Sequence, residues 1–484
     1  MKWWMFCLVF VCVACGREFR IDGYLEEASP LEGSYSEVVV PGNIAPLNFF
    51  MPEGEAIVLS YEGRQIVALC RDGAAIPHMK EWKKLLAAAK GKRIRAEHCV
   101  RTEEGWKAYR PFYLTVAEEP IDPYLVYRLI PPGYEMWHDM GIYQRNLENF
   151  DERAILTNEQ TGRNCMNCHS FCMQNPDKMT FHLRAKHGGT ILSEEGKVVK
   201  LDTKTDRTIS ALVYPYWHPG GEFIAYSVND TKQLFHTHHR NRIEVMDLAS
   251  DVVVYDVRRN EVFTSPLLFD EEAYETFPAF SPDGKKLYFC SARKRSMPDE
   301  YEQVKYSLCS IDFDAESRTF GGKVDTLYQA ERYGKSVSFP RVSPDGRFLM
   351  FTLADYGNFS IWHQEADLWM LDLKTSACYP LEALNSESVE SYHTWSSNGR
   401  WAIFSSRRGD GLYTCPYIAY IDTEGVAHKP FVLPQKKGNF YKRFLYSFNV
   451  PELVKAPVSV SRYRLLRTVL QDECLKVKAR IDNQ

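Results

Sequence analysis

The chain has 484 residues, of which 45% are hydrophobic and 25% are charged, and its formal net charge is −4. This composition is that of a globular protein, and the near-neutral charge gives no basis for nucleic-acid binding. The length suggests about three domains.

The first segment, residues 1–15, predicts a signal peptide. Lys2 precedes an uncharged apolar run from Trp3 to Ala14, which is too short to span a bilayer. The run ends Ala14-Cys15-Gly16 and resembles the lipobox of bacterial lipoproteins, although Cys12 stands where that family usually has Leu. The resemblance implies a lipid on Cys15 and export to the periplasm or cell envelope, with the outer membrane as the expected anchor. A plain signal peptide cleaved nearby and an uncleaved anchor are the alternatives.

The next elements are mainly β. Residues 16–36 are polar and predict a tether, and residues 37–120 predict a β-rich accessory domain. Within that domain, two apolar runs around Glu62-Gly63 predict a hairpin, and residues 77–89 predict a helix. Residues 121–157 are rich in aromatic residues and proline, which predicts a connector that packs on the following domain.

Residues 164–169 contain a C-x-x-C-H motif, the pattern of c-type haem attachment. Cys165 and Cys168 are spaced to form thioethers with the two vinyl groups of one porphyrin, and His169 would then bind the iron as the proximal ligand. With 13 Cys and 13 His in the chain, a chance match is expected roughly 0.01 times. A half zinc site, a redox dithiol and a chance pair are the alternatives. The motif predicts one covalent haem c.

Several side chains after the motif are candidates for the second axial ligand of the iron: Met179, His182 and His187. A full cytochrome c domain needs about 80–100 residues, which the neighbouring patterns do not leave free. We therefore expect a short haem-binding insertion over residues 158–192. A second cluster, His236, His238 and His239, predicts surface histidines, with a metal site or a remote haem ligand as the alternative.

A repeat begins near residue 210. Its four copies start at Tyr214, Phe277, Phe339 and Tyr392, and each combines a short strand, a turn of the Pro-Asp-Gly or Asn-Gly type and an apolar strand. Further strands between the copies give four strands per repeat, which indicates propeller blades. The pattern Pro-x-Trp/Phe-Ser-Pro-Asp-Gly-Lys/Arg resembles the blade repeat of TolB-type propellers. That resemblance implies a periplasmic scaffold that binds partners.

The predicted fold is therefore mainly β. It comprises a TolB-like β-propeller of five to seven four-stranded blades over residues 193–450, the small N-terminal β-rich domain and the short haem-binding insertion. Strands from 121–163 or 189–202 are expected to complete one blade, because a ring needs closing. Residues 451–484 predict an amphipathic C-terminal helical segment.

Together, the leader, the motif and the repeat predict an exported mono-haem c-type cytochrome lipoprotein. It would transfer electrons, with the propeller as a docking scaffold for redox or envelope protein partners. One alternative is a TolB-like envelope binding protein with a structural haem, and another is a haem-dependent propeller oxidoreductase. A carrier or binding protein is favoured over a catalyst, because no Ser-His-Asp or paired-carboxylate pattern stands out in the sequence.

Overall fold

The computed structural model describes residues 19–31, 35–131 and 139–481. The predicted signal peptide, with the predicted lipid site Cys15, lies outside these residues. The N-terminal part contains one helix, α1 (Met79–Ala88), and nine strands. These strands are β1 (Gly23–Ala28), β2 (Val38–Val40), β3 (Phe49–Phe50), β4 (Ala56–Tyr61), β5 (Arg64–Arg71), β6 (Ala74–Ala75), β7 (Arg93–Thr102), β8 (Gly105–Arg110) and β9 (Phe112–Val116).

The nine strands form one sheet in the order β1-β8-β7-β4-β5-β6-β3, with β9 pairing β7 and β2 pairing β9. Strands β4 and β5 form the hairpin expected around Glu62-Gly63. Helix α1 buries Trp82, Leu85 and Leu86. Part of the predicted tether forms an edge strand of this sheet instead. Strand β1 pairs in parallel with β8, and its residues alternate largely between half-buried and exposed, as expected for a strand at an edge.

The rest of the chain contributes 26 strands and three short helices, α2 (Ala330–Tyr333), α3 (Phe440–Arg443) and α4 (Arg462–Val469). The strands are β10 (Tyr124–Ile130), β11 (Gly141–Asn146), β12 (Glu152–Thr157), β13 (Met166–Phe171), β14 (Lys178–Leu183), β15 (Gly189–Glu194), β16 (Lys197–Asp202), β17 (Val213–Trp217), β18 (Phe223–Phe235), β19 (Ile243–Asp256), β20 (Glu261–Phe263), β21 (Ala273–Phe280), β22 (Lys286–Arg293), β23 (Ser307–Asp314), β24 (Thr319–Tyr328), β25 (Ser336–Val342), β26 (Phe348–Ala354), β27 (Asp367–Asp372), β28 (Cys378–Pro380), β29 (Glu390–Trp395), β30 (Trp401–Ser406), β31 (Cys415–Tyr420), β32 (Phe431–Val432), β33 (Ser447–Val454), β34 (Leu475–Lys476) and β35 (Lys478–Arg480). In the part of the chain that the structure describes, none of the helices combines the length and the apolar character needed to cross a bilayer.

Of these strands, 24 pair into six antiparallel units of four strands each. Unit 1 has the order β33-β10-β11-β12, and units 2 to 6 are β13–β16, β17–β20, β21–β24, β25–β28 and β29–β32. A single residue pair, Ser250 with Tyr274, links units 3 and 4. The first strands contact one another in a closed cycle: β33, β13, β17, β21, β25, β29 and again β33. The prediction of a mainly β, propeller-like fold is therefore confirmed.

Each first strand contains the same irregularity. A bulge interrupts its pairing with the second strand, and the bulged residue has a φ between 50° and 54°, which is uncommon for residues other than glycine. The six residues are Cys168, Tyr214, Phe277, Phe339, Tyr392 and Val450. The following residue is proline in four units and histidine in units 2 and 6. Cys168-His169 therefore occupies the repeat position that Phe277-Pro278 occupies in unit 4.

Three predicted segments have a different place in the structure. Residues 158–192 are not a separate insertion, because β13, β14 and β15 lie in one sheet with β16, and the predicted boundary at 192/193 falls inside β15. The connector 121–157 supplies β10, β11 and β12 of unit 1, so it belongs to the ring. In the C-terminal segment 451–484 only α4 is helical; β33 reaches into it, and β34 and β35 add edge strands to units 2 and 3.

The N-terminal sheet packs directly on the ring. One apolar core joins its side chains to those of units 1 and 6, including Trp401 at the start of β30. The Trp401 side chain is fully buried, and its indole N–H donates to the carbonyl oxygen of Glu119 at 3.1 Å. The contact fixes the N-terminal domain to the propeller-like ring.

Trp401→Ala is expected to lower the free energy of unfolding by about 3–5 kcal/mol, because it leaves a large cavity in this shared core. Equilibrium unfolding in urea measures the effect. Tyr463→Ala is the matched control, since that ring is 75% exposed, and it should change stability by less than about 0.5 kcal/mol. Equal losses in the two variants would contradict the packing described above.

Candidate functional site: the axial cavity

A cavity of about 840 Å³ lies where the first strands converge. Five of the six units line it, and unit 4 does not. Four of the bulged residues form part of an aromatic cluster, with ring centroids 4.6 Å apart for Tyr214 and Phe277, 4.0 Å for Phe277 and Phe339, and 4.7 Å for Phe339 and Tyr392. Cys168 and Val450 complete the set of six bulged residues around the axis, and both line the cavity.

The residues of the C-x-x-C-H motif all reach this cavity. Cys165, Cys168 and His169 line it, together with His182 on the neighbouring strand β14, where His182 pairs with Asn167. Strand β13 brings Cys168 and His169 to the axis because its bulge falls at these two residues. Sequence and structure therefore agree in bringing the two thiols and the imidazole together.

The three candidates for a second axial ligand have different surroundings. Met179 and His182 point to opposite faces of β14, and His187 lies beyond its end. His182 lines the cavity, whereas Met179 is fully buried in the apolar core between units 1 and 2. His187 belongs to a short helical turn, Ala185–His187, and is not part of the cavity lining. His182 Nδ1 lies 3.1 Å from the hydroxyl oxygen of Thr190, which orients its ring. Of the three, only His182 faces the same cavity as the motif.

His169 is the least satisfied polar group in the cavity. Its side chain is only 3% exposed, yet neither ring nitrogen has a hydrogen-bond partner of acceptable geometry among the described residues. Burial and the nearby Arg128 guanidinium lower the pKa of His169 to about 3, although carbonyl groups of Val450 and Val126 act in the opposite direction. The ring is therefore neutral at physiological pH, which is the form that binds metal ions.

His393 occupies the same place in unit 6. It follows the bulged Tyr392 as His169 follows Cys168, and its ring lies beside Phe339 and Met350 as that of His169 lies beside Val450 and Val126. Its Nε2 lies 3.0 Å from the carbonyl oxygen of Met350, so one of its nitrogens is hydrogen-bonded. The other three copies of the repeat have proline at this position (Pro215, Pro278 and Pro340), and the sequence alone indicates no role for the histidine.

Burial also sets the protonation of the other groups. The pKa of His182 is lowered to about 4, by burial first and then by Arg184. Burial raises the pKa of the Cys168 thiol, although Arg128 and Arg184 partly offset it. The Cys168 thiol is thus held in its protonated form, and the imidazoles of His169 and His182 are neutral.

A long hairpin forms part of the cavity wall. Strands β18 and β19 extend well beyond the length of the other second and third strands, and the side chains on one face of the extension line the cavity: Thr231, Gln233, Phe235, Ile243 and Val245. On the other face, Glu244 accepts a hydrogen bond from the Tyr356 hydroxyl at 2.7 Å and lies 2.9 Å from His363 Nε2. These buried contacts attach the hairpin to unit 5.

Among the described residues, no group of three or more His, Cys, Asp or Glu side chains is placed to hold a metal ion. His236 and His239 lie close together, with ring centroids 5.2 Å apart, on the exposed tip of the hairpin. The axial cavity is therefore the candidate functional site.

Comparison with known proteins addresses the fold. No family model and no curated protein matches the chain. Oligogalacturonate lyase in complex with manganese matches at 12% identity and a TM-score of 0.38, over 63% of this chain and 73% of the lyase. Puromycin hydrolase matches at 13% identity and a TM-score of 0.37, over 64% of this chain but 52% of its own length. A puromycin-hydrolyzing peptidase of Mycobacterium tuberculosis has 12% identity and a TM-score of 0.35, over 85% and 57%.

The prediction of an electron-transfer cytochrome is wrong. The similar solved structures named above are a lyase, a hydrolase and a peptidase by name, and none of them is a cytochrome. The prediction also assumed a small haem insertion beside the propeller, whereas Cys165, Cys168 and His169 lie at the first strand of unit 2 and line an axial cavity. The chain is similar to β-propeller proteins in its fold, and that likeness assigns no activity.

Proposed function

We propose that the chain is an exported six-bladed propeller whose function is to bind one haem c in its axial cavity. Cys165 and Cys168 would hold the haem covalently, and His169 would bind its iron. Export with a lipid on Cys15 belongs to the same proposal, because resemblance to cytochromes c implies attachment outside the cytoplasm. The six four-strand units and their closed cycle of first strands support the blade number.

One observation carries the proposal: the difference between His169 and His393. The two rings occupy equivalent positions, and His393 Nε2 is hydrogen-bonded to the carbonyl oxygen of Met350, whereas the carbonyl groups of Val450 and Val126 lie near His169 without giving either of its ring nitrogens a hydrogen bond of acceptable geometry among the described residues. Leaving a buried polar group without a partner costs about 1–3 kcal/mol, so an orphaned imidazole beside two thiols indicates a missing ligand. A histidine present only for packing would be expected to have the bond that His393 has.

The cavity fits a haem in size and in chemistry. Its volume of about 840 Å³ lies within the range of small-molecule and cofactor sites, roughly 300–1,000 Å³. Arg128, Arg184, Arg341 and Arg407 line it and match the carboxylate groups of a haem. A haem bound here would supply an iron centre able to take a further small ligand.

The chain's own residues have separate roles in this proposal. Each thiol, of Cys165 and of Cys168, adds its sulfur and its hydrogen across one vinyl C=C bond, so no oxidant or reductant is consumed. His169 is held neutral by burial and needs no deprotonation before it binds metal. The aromatic cluster and the β18–β19 hairpin surround the site and limit the access of water.

Producing the full chain with its own leader, with and without a haem c maturation system, tests the proposal. We expect haem that stays on the denatured protein only when the system is present, and a peptide containing residues 164–169 that carries it in mass spectrometry. An exported and folded protein that never retains haem after denaturation would contradict the proposal.

A further inference from the structure

Four arginines of the axial cavity have no acidic partner. Arg128, Arg184, Arg341 and Arg407 line the cavity, and the only acidic lining residues are Asp202 and Asp230. An ion pair requires a nitrogen within 4.0 Å of a carboxylate oxygen. Among the described residues, none of the four guanidinium groups meets this distance. Elsewhere in the ring the buried Arg318 is paired with two carboxylates, at 3.0 Å from Asp256 and 2.7 Å from Glu261.

Arg407 is the most buried of the four, at 5% exposure. Its Nε donates to the carbonyl oxygen of Ile361 at 3.0 Å, its Nη1 donates to that of Leu412, and its guanidinium lies 3.5 Å over the ring of Trp362. These contacts fix the orientation of the group and leave Nη2 without a hydrogen bond in the described structure. Burial, and to a smaller extent the charge of Arg242 on the hairpin, lower the pKa of Arg407 to about 9, although Tyr392 and Asp410 act in the opposite direction.

Arg128 and Arg184 lie towards the thiols. Both lower the pKa of the Cys168 thiol through their charge, and Arg128 also acts on His169. Arg128 Nη1 donates to the carbonyl oxygen of Met166 at 3.2 Å, and its Nε is buried without a partner. The charges of Arg128 and Arg407 both act to lower the pKa of Tyr392, so this ring lies near both guanidinium groups.

Buried charges without partners are costly, and a protein normally pairs or neutralises them. Arg407 and Arg128 are preformed donors, and guanidinium groups bind carboxylates more strongly than neutral donors do. We propose that Arg407 and Arg128, with Arg184, form an anion subsite that selects a cavity occupant with at least two carboxylate groups. This inference rests on the proposed function, because haem carries two propionate groups, but it concerns the arginines and not the thioethers.

Reversible binding tests the subsite without covalent attachment. The full chain with Cys165→Ala and Cys168→Ala is titrated with haem and with haem dimethyl ester, in which both carboxylates are neutral, and quenching of tryptophan fluorescence reports the dissociation constants. We expect haem to bind at least about tenfold more tightly than its ester, because a charge-assisted bond is lost at each carboxylate. Equal affinities would overturn the subsite and leave covalent haem binding standing.

Arg407→Met in the same background assigns the effect to a residue. It should weaken haem binding about tenfold and leave binding of the ester unchanged. Arg71→Met, on the exposed face of β5, is the matched control and should change neither. If Arg407→Met does not fold, the comparison of haem with its ester in the unsubstituted background still decides. If Arg407→Met weakens the binding of haem and of its ester equally, the anion role of Arg407 is overturned. If neither porphyrin binds the folded protein, the subsite and the proposed function are overturned together.

Discussion

Replacing Cys165 and Cys168 together by serine is expected to leave the protein without any covalent haem, even when it is made with a maturation system. Each thioether requires the sulfur of one of these residues, and the hydroxyl of serine does not add to a vinyl group. The single variants should each keep one thioether. Absorbance of the denatured protein and the mass of the peptide containing residues 164–169 measure the result.

Cys172 supplies the matched control for that experiment. It is a third thiol close in sequence and is also buried, but it lies in the core between units 2 and 3, where its Sγ is 3.7 Å from the carbonyl oxygen of His218. Cys172→Ser should therefore retain a full complement of haem. Loss of haem in this variant, or covalent haem in the double variant, would contradict the assignment of the thiols.

His363→Gln is expected to lower the free energy of unfolding at pH 6.5 by about 3–5 kcal/mol, the usual effect of breaking a buried ion pair. His363 is 1% exposed, with its Nε2 2.9 Å from Glu244 and its Nδ1 3.5 Å from Glu365. Removing the imidazolium leaves the carboxylate of Glu244 buried with only the Tyr356 hydroxyl as a donor. The β18–β19 hairpin loses one of its buried contacts with unit 5.

The same pair makes stability depend on pH. Burial lowers the pKa of His363, but hydrogen bonds and charge from Glu244 and Glu365 outweigh it and raise the pKa from 6.5 to about 9. A histidine whose pKa rises on folding stabilises the protein fully below the unfolded value and loses this contribution as the pH rises through the folded value. Stability should therefore fall between pH 6.5 and about 9.

Urea denaturation at both ends of that range measures the dependence. His363→Gln should show a smaller fall than the unsubstituted protein, and His238→Gln, an exposed histidine on the hairpin, should show the same fall. An identical pH profile for His363→Gln would mean that the pair does not titrate as described.

The repeat could be predicted wherever its turn is explicit. Units 3 to 6 begin at the four copies in the sequence, because a glycine in the turn and an apolar strand mark each hairpin. Unit 2 carries a weaker version: Pro176-Asp177 stands where units 4 and 5 have Pro-Asp, and the apolar strand β14 follows directly. The haem motif just before it led to the interpretation of this segment as an insertion. Aligning Cys168-His169 with Phe277-Pro278 would have revealed the unit.

No local sequence pattern predicts the strand pairing of unit 1. Its first strand, β33, pairs with β10, more than 300 residues earlier in the chain. The sequence predicted that strands from 121–163 or 189–202 complete one blade, but no spacing indicates their partner. The sequence also gives no indication that four arginines share the cavity. They come from four different units, and the closed ring brings them together: Arg128, Arg184, Arg341 and Arg407.

The composite nature of unit 1 also sets an order of events during biosynthesis. Residues 124–157 and the motif emerge from the ribosome long before residues 447–454, so the wall of the cavity beside His169 is missing until the last strand of the ring has been made. Until then one side of the cavity beside the two thiols is open. Docking of β33 completes unit 1 and the cycle of first strands around the cavity. Under the proposed function, we expect haem to reach the thiols more readily before this step than after it.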